Sequence, residues 1–335
     1  MRAATGVQYE LRAATPSGPA LAVVTEVAAG LRMYSVDGID LVEPFPARSA
    51  PPKGAGIVLA PWPNRIRDGV WQQGGVRREL ALTEPELGNA IHGLLRYSPY
   101  RLLSRGTGTV TLAATVFPQR GYPFQLDTTV TYTLTDEGLE VTHTVRNVGT
   151  EPAPVALGAH PYLKIGGVPT EDLTLRIAAD IHIDVDDRSN PVGESPVDGT
   201  RFDLRGGRPV RDLDLDDGFG GVGAHGAASG PLGRPASPGH PEARSEHSLA
   251  APDGRTVMLW GDENIRYVQV FTPRNFPVTA PGSDDEDEPV PGRAVAIEPM
   301  TAPADAFNSG AGLRWLEPGE TWTVRWGIRH TGFGL

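Results

Sequence analysis

The sequence predicts an all-β protein built as a large antiparallel β-sandwich. Three observations carry this: stretches in which apolar and polar residues alternate strictly, 41 glycines and 32 prolines in 335 residues, and no long segment with helical period and caps. A two-residue period sorts side chains onto opposite faces of a strand. Many such strands joined by Gly/Pro turns pack sheet against sheet.

The elements follow in chain order. In FQLDTTVTYTLT, Phe124, Leu126, Val130, Tyr132 and Leu134 share one face, against Gln125, Asp127, Thr129, Thr131 and Thr133. LEVTHTVRN sets Leu139, Val141 and Val145 against Glu140, Thr142 and Arg146. The intervening Thr135-Asp136-Glu137-Gly138 is a turn signal, so the two runs read as one long hairpin. DIHID alternates Asp180, His182 and Asp184 on one strand face. In TWTVRWGI near the C-terminus, Trp322, Val324, Trp326 and Ile328 oppose Thr321, Thr323 and Arg325. Two segments read as insertions: Gly218 to Pro252, rich in Gly, Pro, Ala and Ser, and the acidic, Pro-flanked Gly282 to Gly292. Their low apolar content makes surface loops the expectation. No repeat of fixed period is present, and residues 1–335 read as a single domain carrying these insertions.

Composition narrows the function. The chain has no cysteine, which removes disulfides, thiolate nucleophiles and cysteine metal sites. Lys plus Arg number 30 against 41 Asp plus Glu, a formal charge of −11, which opposes nucleic-acid binding because phosphate backbones require a basic footprint. The start lacks the charged and apolar regions of a secretory signal, and Leu21–Gly30 is too short and too polar to span a bilayer. A cytoplasmic protein without membrane contact, monomeric or homodimeric, is expected.

With cysteine absent, proton chemistry falls to His, Asp and Glu. His225, His240 and His247 lie in the low-complexity insertion. His182 reads as part of a solvated strand face, with a metal site on DIHID as the alternative, and His143 as a core residue. His330 ends the last strand and is compatible with either role. His92 stands in NAIHGL, where a loop is expected. His160 follows an apolar run and precedes a proline, which holds it out of the α region at a strand end. Glu298 in VAIEPM repeats that arrangement; a solvated strand terminus is its structural alternative. Arg65 in APWPNRIRDG follows an apolar run and could be a salt-bridge residue.

Taken together, these segments resemble the aldose 1-epimerases, or galactose mutarotases. Asn64-Arg65-Ile66, the Asn-x-x-His-Gly of Asn89 to Gly93, the Gly-x-His-Pro-Tyr of Gly158 to Tyr162 and the strand ending in Glu298 occur in the family's order. EPMTAPADAFNSGAGLRWLEPGE is similar to the segment that follows in the family. The resemblance implies the galactose mutarotase-like supersandwich and a monosaccharide substrate. It also implies ring opening and closure without metal or other cofactor. It implies Glu298 as general base at the anomeric hydroxyl and His160 as general acid at the ring oxygen. Arg65, His92 and Asn64 are implied as substrate-binding residues, joined by Asp216 in LDLDDGF, with Asp217 as its neighbour. The chain departs from many members in its Pro-Trp-Pro, where Trp62 reads equally as a sugar platform or a core residue, and in the Gly-Leu that follows His92 in place of Gly-Gly. Other readings are a glycoside hydrolase, which needs a second carboxylate, and a hexose-phosphate epimerase, which needs further cations such as Arg67 or Arg96. A third is a non-catalytic sugar-binding protein, which would not need an acid–base pair.

Overall fold

The computed structural model describes residues 2–223, 245–278 and 288–333. Antiparallel sheets dominate them. The expected hairpin forms: strands Leu126–Thr135 and Gly138–Asn147 pair from Thr135↔Gly138 through Tyr132↔Val141 to Leu126↔Asn147. Strand Thr321–Thr331 adds to it, with Trp326 opposite Val141 and Trp322 opposite Val145. The alternating apolar residues of all three strands are buried, so one face of the hairpin is core, as its period requires. These strands lie in a nine-stranded sheet that runs from Arg101–Arg105 at one edge to Arg208–Pro209 at the other.

A second, eight-stranded sheet carries the chemistry. Its order includes Ile181–Val185, Asp216–Gly220, Tyr267–Phe271, Val295–Met300, Gly158–Ala159 and Val58–Leu59, each beside the next. All six residues of Val295–Met300 are buried, which explains why VAIEPM reads as a near-continuous apolar run. A four-stranded sheet from Gln8–Thr15 to Ile39–Asp40 precedes both. The described residues hold a single α-helix, Ala306–Ser309. None of their helices is long and apolar enough to cross a membrane.

Three expectations change. Gly218–Gly220 and Ser245–Ala250 are strands, so the insertion is narrower than Gly218 to Pro252. Its alternation Ser245, His247, Leu249 buries one face in the nine-stranded sheet. The remainder, 224–244, lies outside the described residues. Val290–Gly292 likewise pairs with Phe276–Val278, while 279–287 lie outside. His247 is therefore a core residue, its Nδ1 accepting the Ala178 amide at 3.2 Å. His182 is not on a solvated face. It is 4% exposed, stacks on Phe202 with centroids 3.5 Å apart and is held between Asp217 at 2.8 Å and Asp184 at 3.0 Å. His143 is in the core as expected, its Nε2 accepting the Trp326 indole N–H at 2.9 Å. Trp62 is also core, edge-on to Phe307.

Candidate active site

Register builds the site. Gln269 and Glu298 are Cα partners in adjacent strands, and Gly218 is the partner of Gln269 on the other side. One rung of the sheet thus presents a glycine, a glutamine and a glutamate to the same face. Gly218 leaves room there: a Cβ on it would sit 3.1 Å from the Gln269 Oε1. Asp216, two residues before Gly218, shares that face, and Asp217 faces the opposite way, to His182.

Two loops complete the cavity. Arg65–Arg67 pairs with Asn89–Ile91 in the register Arg65↔Ile91, and the His92 amide donates to the Asn64 carbonyl at 2.9 Å. The arginine block and the histidine block are therefore one ladder. Asn64 and His92 both have positive φ, 53° and 64°, a conformation that L-residues adopt at a cost and that clusters at functional sites. Gly93 follows at φ 74° with the Ala60 carbonyl against it. A Cβ would meet that oxygen at 2.1 Å, so glycine is required at 93. Residue 94 needs only its amide, which bonds the same carbonyl, so Leu94 is accommodated where the resemblance suggested a second glycine.

The cavity has a volume of about 250 Å³ and is lined by Lys53, Asn64, Arg65, Glu84, Ile91, His92, His160, Asp216, Gln269, Phe271 and Glu298. All six sequence-derived site residues, Glu298, His160, Arg65, His92, Asp216 and Asn64, meet here. His160 Nε2 lies 3.3 Å from Glu298 Oε1. The His160 ring stacks on Tyr162 and meets His92 edge-on, with centroids 5.1 and 5.4 Å away. Arg65 forks onto Glu84 at 2.8 and 2.9 Å and reaches Asp216 at 3.3 Å. Gln269 donates to Asp216 at 2.8 Å and accepts from Asn64 at 3.0 Å.

Sequence reasoning missed Gln269, Glu84, Lys53 and Phe271. Alternation in YVQVF puts a polar residue between two buried valines, which was the available signal for Gln269. Glu84 sits in an irregular loop with no such signal. Arg67 does not line the cavity; it bonds Asp186 at 3.0 Å and the Pro191 carbonyl. Arg96 is also absent from the lining and donates to the Thr83 carbonyl. Asp305 does not line it either, but its amide binds the Arg65 carbonyl and its Oδ1 accepts the Arg67 amide at 3.0 Å. It anchors the arginine strand from outside.

Burial sets the proton balance. It holds the His160 pKa down, to about 4, against opposing pulls from a hydrogen bond to its own backbone and from the charge of Asp216. It lifts that of Glu298 well above the ordinary carboxylate range, and the charge of Asp216 adds to the rise while Arg65 opposes it. It also holds His92 well below the usual imidazole value, with His160 and Arg65 contributing. Burial favours the uncharged form of each group, so the Glu298–His160 contact carries one proton. Among the described residues, Glu298 Oε2 and the Nδ1 atoms of His92 and His160 are buried without a hydrogen-bond partner. An acid and a base in contact, flanked by donors and acceptors, can exchange protons with two oxygens bound to one carbon.

The family model described as aldose 1-epimerase matches residues 20–329. The chain is 30% identical to the uncharacterized protein YihR of Escherichia coli (strain K12), over 89% of this chain and 86% of that one. It is 33% identical to the galactose mutarotase of Sus scrofa over 46% of each chain. Among solved structures, a GalM/aldose epimerase homologue from C. elegans superposes with a TM-score of 0.78 at 19% identity, covering 97% and 99% of the two chains. A putative aldose 1-epimerase from Escherichia coli K12 gives 0.73 at 17% identity, covering 97% and 98%.

Proposed function

The chain belongs to the aldose 1-epimerase family, and from that premise we propose that it is a mutarotase interconverting the α and β anomers of a free aldose. The observation that carries the reading is the buried contact of His160 Nε2 with Glu298 Oε1 at 3.3 Å on the cavity wall. The anomeric hydroxyl oxygen and the ring oxygen are attached to the same carbon, so groups serving them must lie side by side.

The shared proton first passes from Glu298 to His160 across their 3.3 Å contact; as carboxylate, Glu298 then takes the proton of the anomeric hydroxyl while the His160 imidazolium delivers one to the ring oxygen. The C1–ring-oxygen bond breaks, and the open-chain aldehyde forms. Rotation about C1–C2 presents the other carbonyl face, and closure returns both protons with the roles reversed. One proton is removed and one delivered, so the pair ends with the proton count it began with. Arg65, His92, Asn64 and Asp216 bind the hydroxyls and ring oxygen and hold the sugar against the pair, and Gln269 fixes Asp216 and Asn64. A positioned acid or base contributes roughly 10²–10⁴-fold.

The test is polarimetry on freshly dissolved pure anomers of a panel of aldoses, corrected for spontaneous mutarotation. Acceleration that is lost in Glu298→Gln supports the reading. Absence of acceleration on every aldose, with binding retained, would favour a sugar-binding protein.

A further inference from the structure

Glu84 is the residue of this cavity with the least evident purpose. It sits in the irregular stretch between the arginine and histidine strands, yet it is held from several sides. Its amide and carbonyl both bond Asn89, and its Oε2 accepts from the Asn89 side chain at 3.3 Å. Arg188 clamps the same loop through the Leu87 and Gly88 carbonyls at 2.8 and 3.0 Å. Its carboxylate grips Arg65 through both Nε and one terminal nitrogen, a fork that fixes the guanidinium plane as well as its position. The same terminal nitrogen also meets Asp216. Two carboxylates therefore share one guanidinium whose side chain is 9% exposed.

We propose that Glu84 is a positioning and specificity-determining residue, which holds Arg65 in plane for sugar hydroxyls and cancels its charge so that this end of the cavity refuses anionic substituents. This rests on the reading of Arg65 as a sugar-binding group. A guanidinium with one carboxylate partner still attracts a carboxylate or phosphate on the ligand. With two partners it offers hydrogen-bond donors without net positive charge. A hydroxyl loses little by this, while an anion meets the like charge of Glu84 and Asp216 at close range, where low local dielectric strengthens the repulsion.

Two variants separate geometry from charge. Glu84→Gln removes the charge and keeps the length; Glu84→Asp keeps the charge and withdraws the carboxylate by one methylene. Each is compared with wild type for KM and kcat on a neutral aldose, and for competitive inhibition by the corresponding uronate. The expected result for Glu84→Asp is a roughly tenfold higher KM, a smaller change in kcat and an unchanged ratio of uronate Ki to aldose KM. Glu84→Gln is expected to raise KM as well, and to shift that ratio roughly tenfold towards the uronate. An unchanged KM in both variants, or an unchanged ratio in Glu84→Gln, overturns the proposal. If wild type turns over no aldose, the mutarotase reading fails, and calorimetric binding of the same two sugars carries the Glu84 test with the same expected ratios.

Discussion

At the scale of single residues, the question is how a carboxylate and an imidazole in contact divide one proton. Solvated, they would titrate near ~4.3 and ~6.5. Burial shifts both towards neutrality, holding His160 at about 4 and lifting Glu298 well up. The two-proton and the zero-proton forms of the pair are each charged, and burial penalises both. The one-proton form required for catalysis is therefore populated over a wider range than in water. We predict a plateau in kcat/KM against pH wider than the span between the two solvated values, with its acid limit near the His160 value of about 4 and its basic limit raised along with Glu298. A narrow bell confined between the two solvated values would contradict this; the apparent limits belong to the pair. Glu298→Gln and His160→Asn should each lower kcat roughly 10²–10⁴-fold. The double variant should lose far less than the product, because the two act in one exchange. Arg65→Ala should instead raise KM, since the role proposed for the guanidinium is to hold the sugar and not to move protons.

At the scale of the element, the strand Asp216–Gly220 sends two neighbouring carboxylates to different partners. Neighbouring aspartates in a strand face opposite ways. Asp216 reaches Arg65 and Gln269 in the cavity, and Asp217 reaches His182 behind the sheet. Asp216→Asn is expected to raise KM roughly 10-fold or more, because it removes a charged hydrogen-bonding partner. Asp217→Asn is expected to leave KM nearly unchanged and to cost roughly 1–3 kcal/mol of stability. Equal effects of the two on KM in steady-state assays would contradict the division. His182 gives this strand a pH signature. Burial works against its proton, but hydrogen bonds and attraction from Asp217 and Asp184 prevail and raise its pKa. A raised folded-state pKa contributes stability that is fully present below ~6.5 and is lost as pH rises through the folded value. His182→Gln, which hydrogen-bonds without titrating, should flatten that part of the denaturation midpoint against pH.

These elements also show what was legible. The hairpin and the last strand were readable because one face is solvated and the other buried, which writes a strict alternation. Glu298, His160, His92, Arg65 and Asn64 were readable through short blocks that resemble the family's motifs. His182 and His247 were misplaced for one reason: polar residues beside glycine, alanine and aspartate suggest water, whereas Phe202 and the nine-stranded sheet cover them. Phe202 is some twenty residues from His182 in sequence, so no local window contains that contact. Glu84 escaped because a loop carboxylate acquires meaning only through a partner on another strand.

For the whole molecule, the buried histidines dominate acid behaviour. His143 and His247 are held by burial to about 4 and about 3, and His92 and His160 are lowered by the same cause. Their folded-state pKa values lie below the unfolded ~6.5, so unfolding takes up protons as pH falls through that value. Stability should decline from about pH 6.5 towards pH 4, each histidine contributing up to about 1.4 kcal/mol per pH unit. Glu298 acts with the opposite sign, since its raised pKa costs stability as pH rises. Urea midpoints at pH 7 and pH 5 check the sum. An unchanged or higher midpoint at pH 5 would mean that the buried histidines do not outweigh the groups whose values are raised.

The pairing of Gln269 with Glu298 has one more consequence. Their alignment is fixed by backbone hydrogen bonds between two strands, and a slip of one residue would turn either strand's side chains to the wrong face. A molecule refolded with that error would keep its sheet content and its circular dichroism, but Ile297 or Pro299 would take the carboxylate's place. Turnover per mole of refolded chain is then a census of correctly registered molecules, and it counts an error to which spectroscopy is blind.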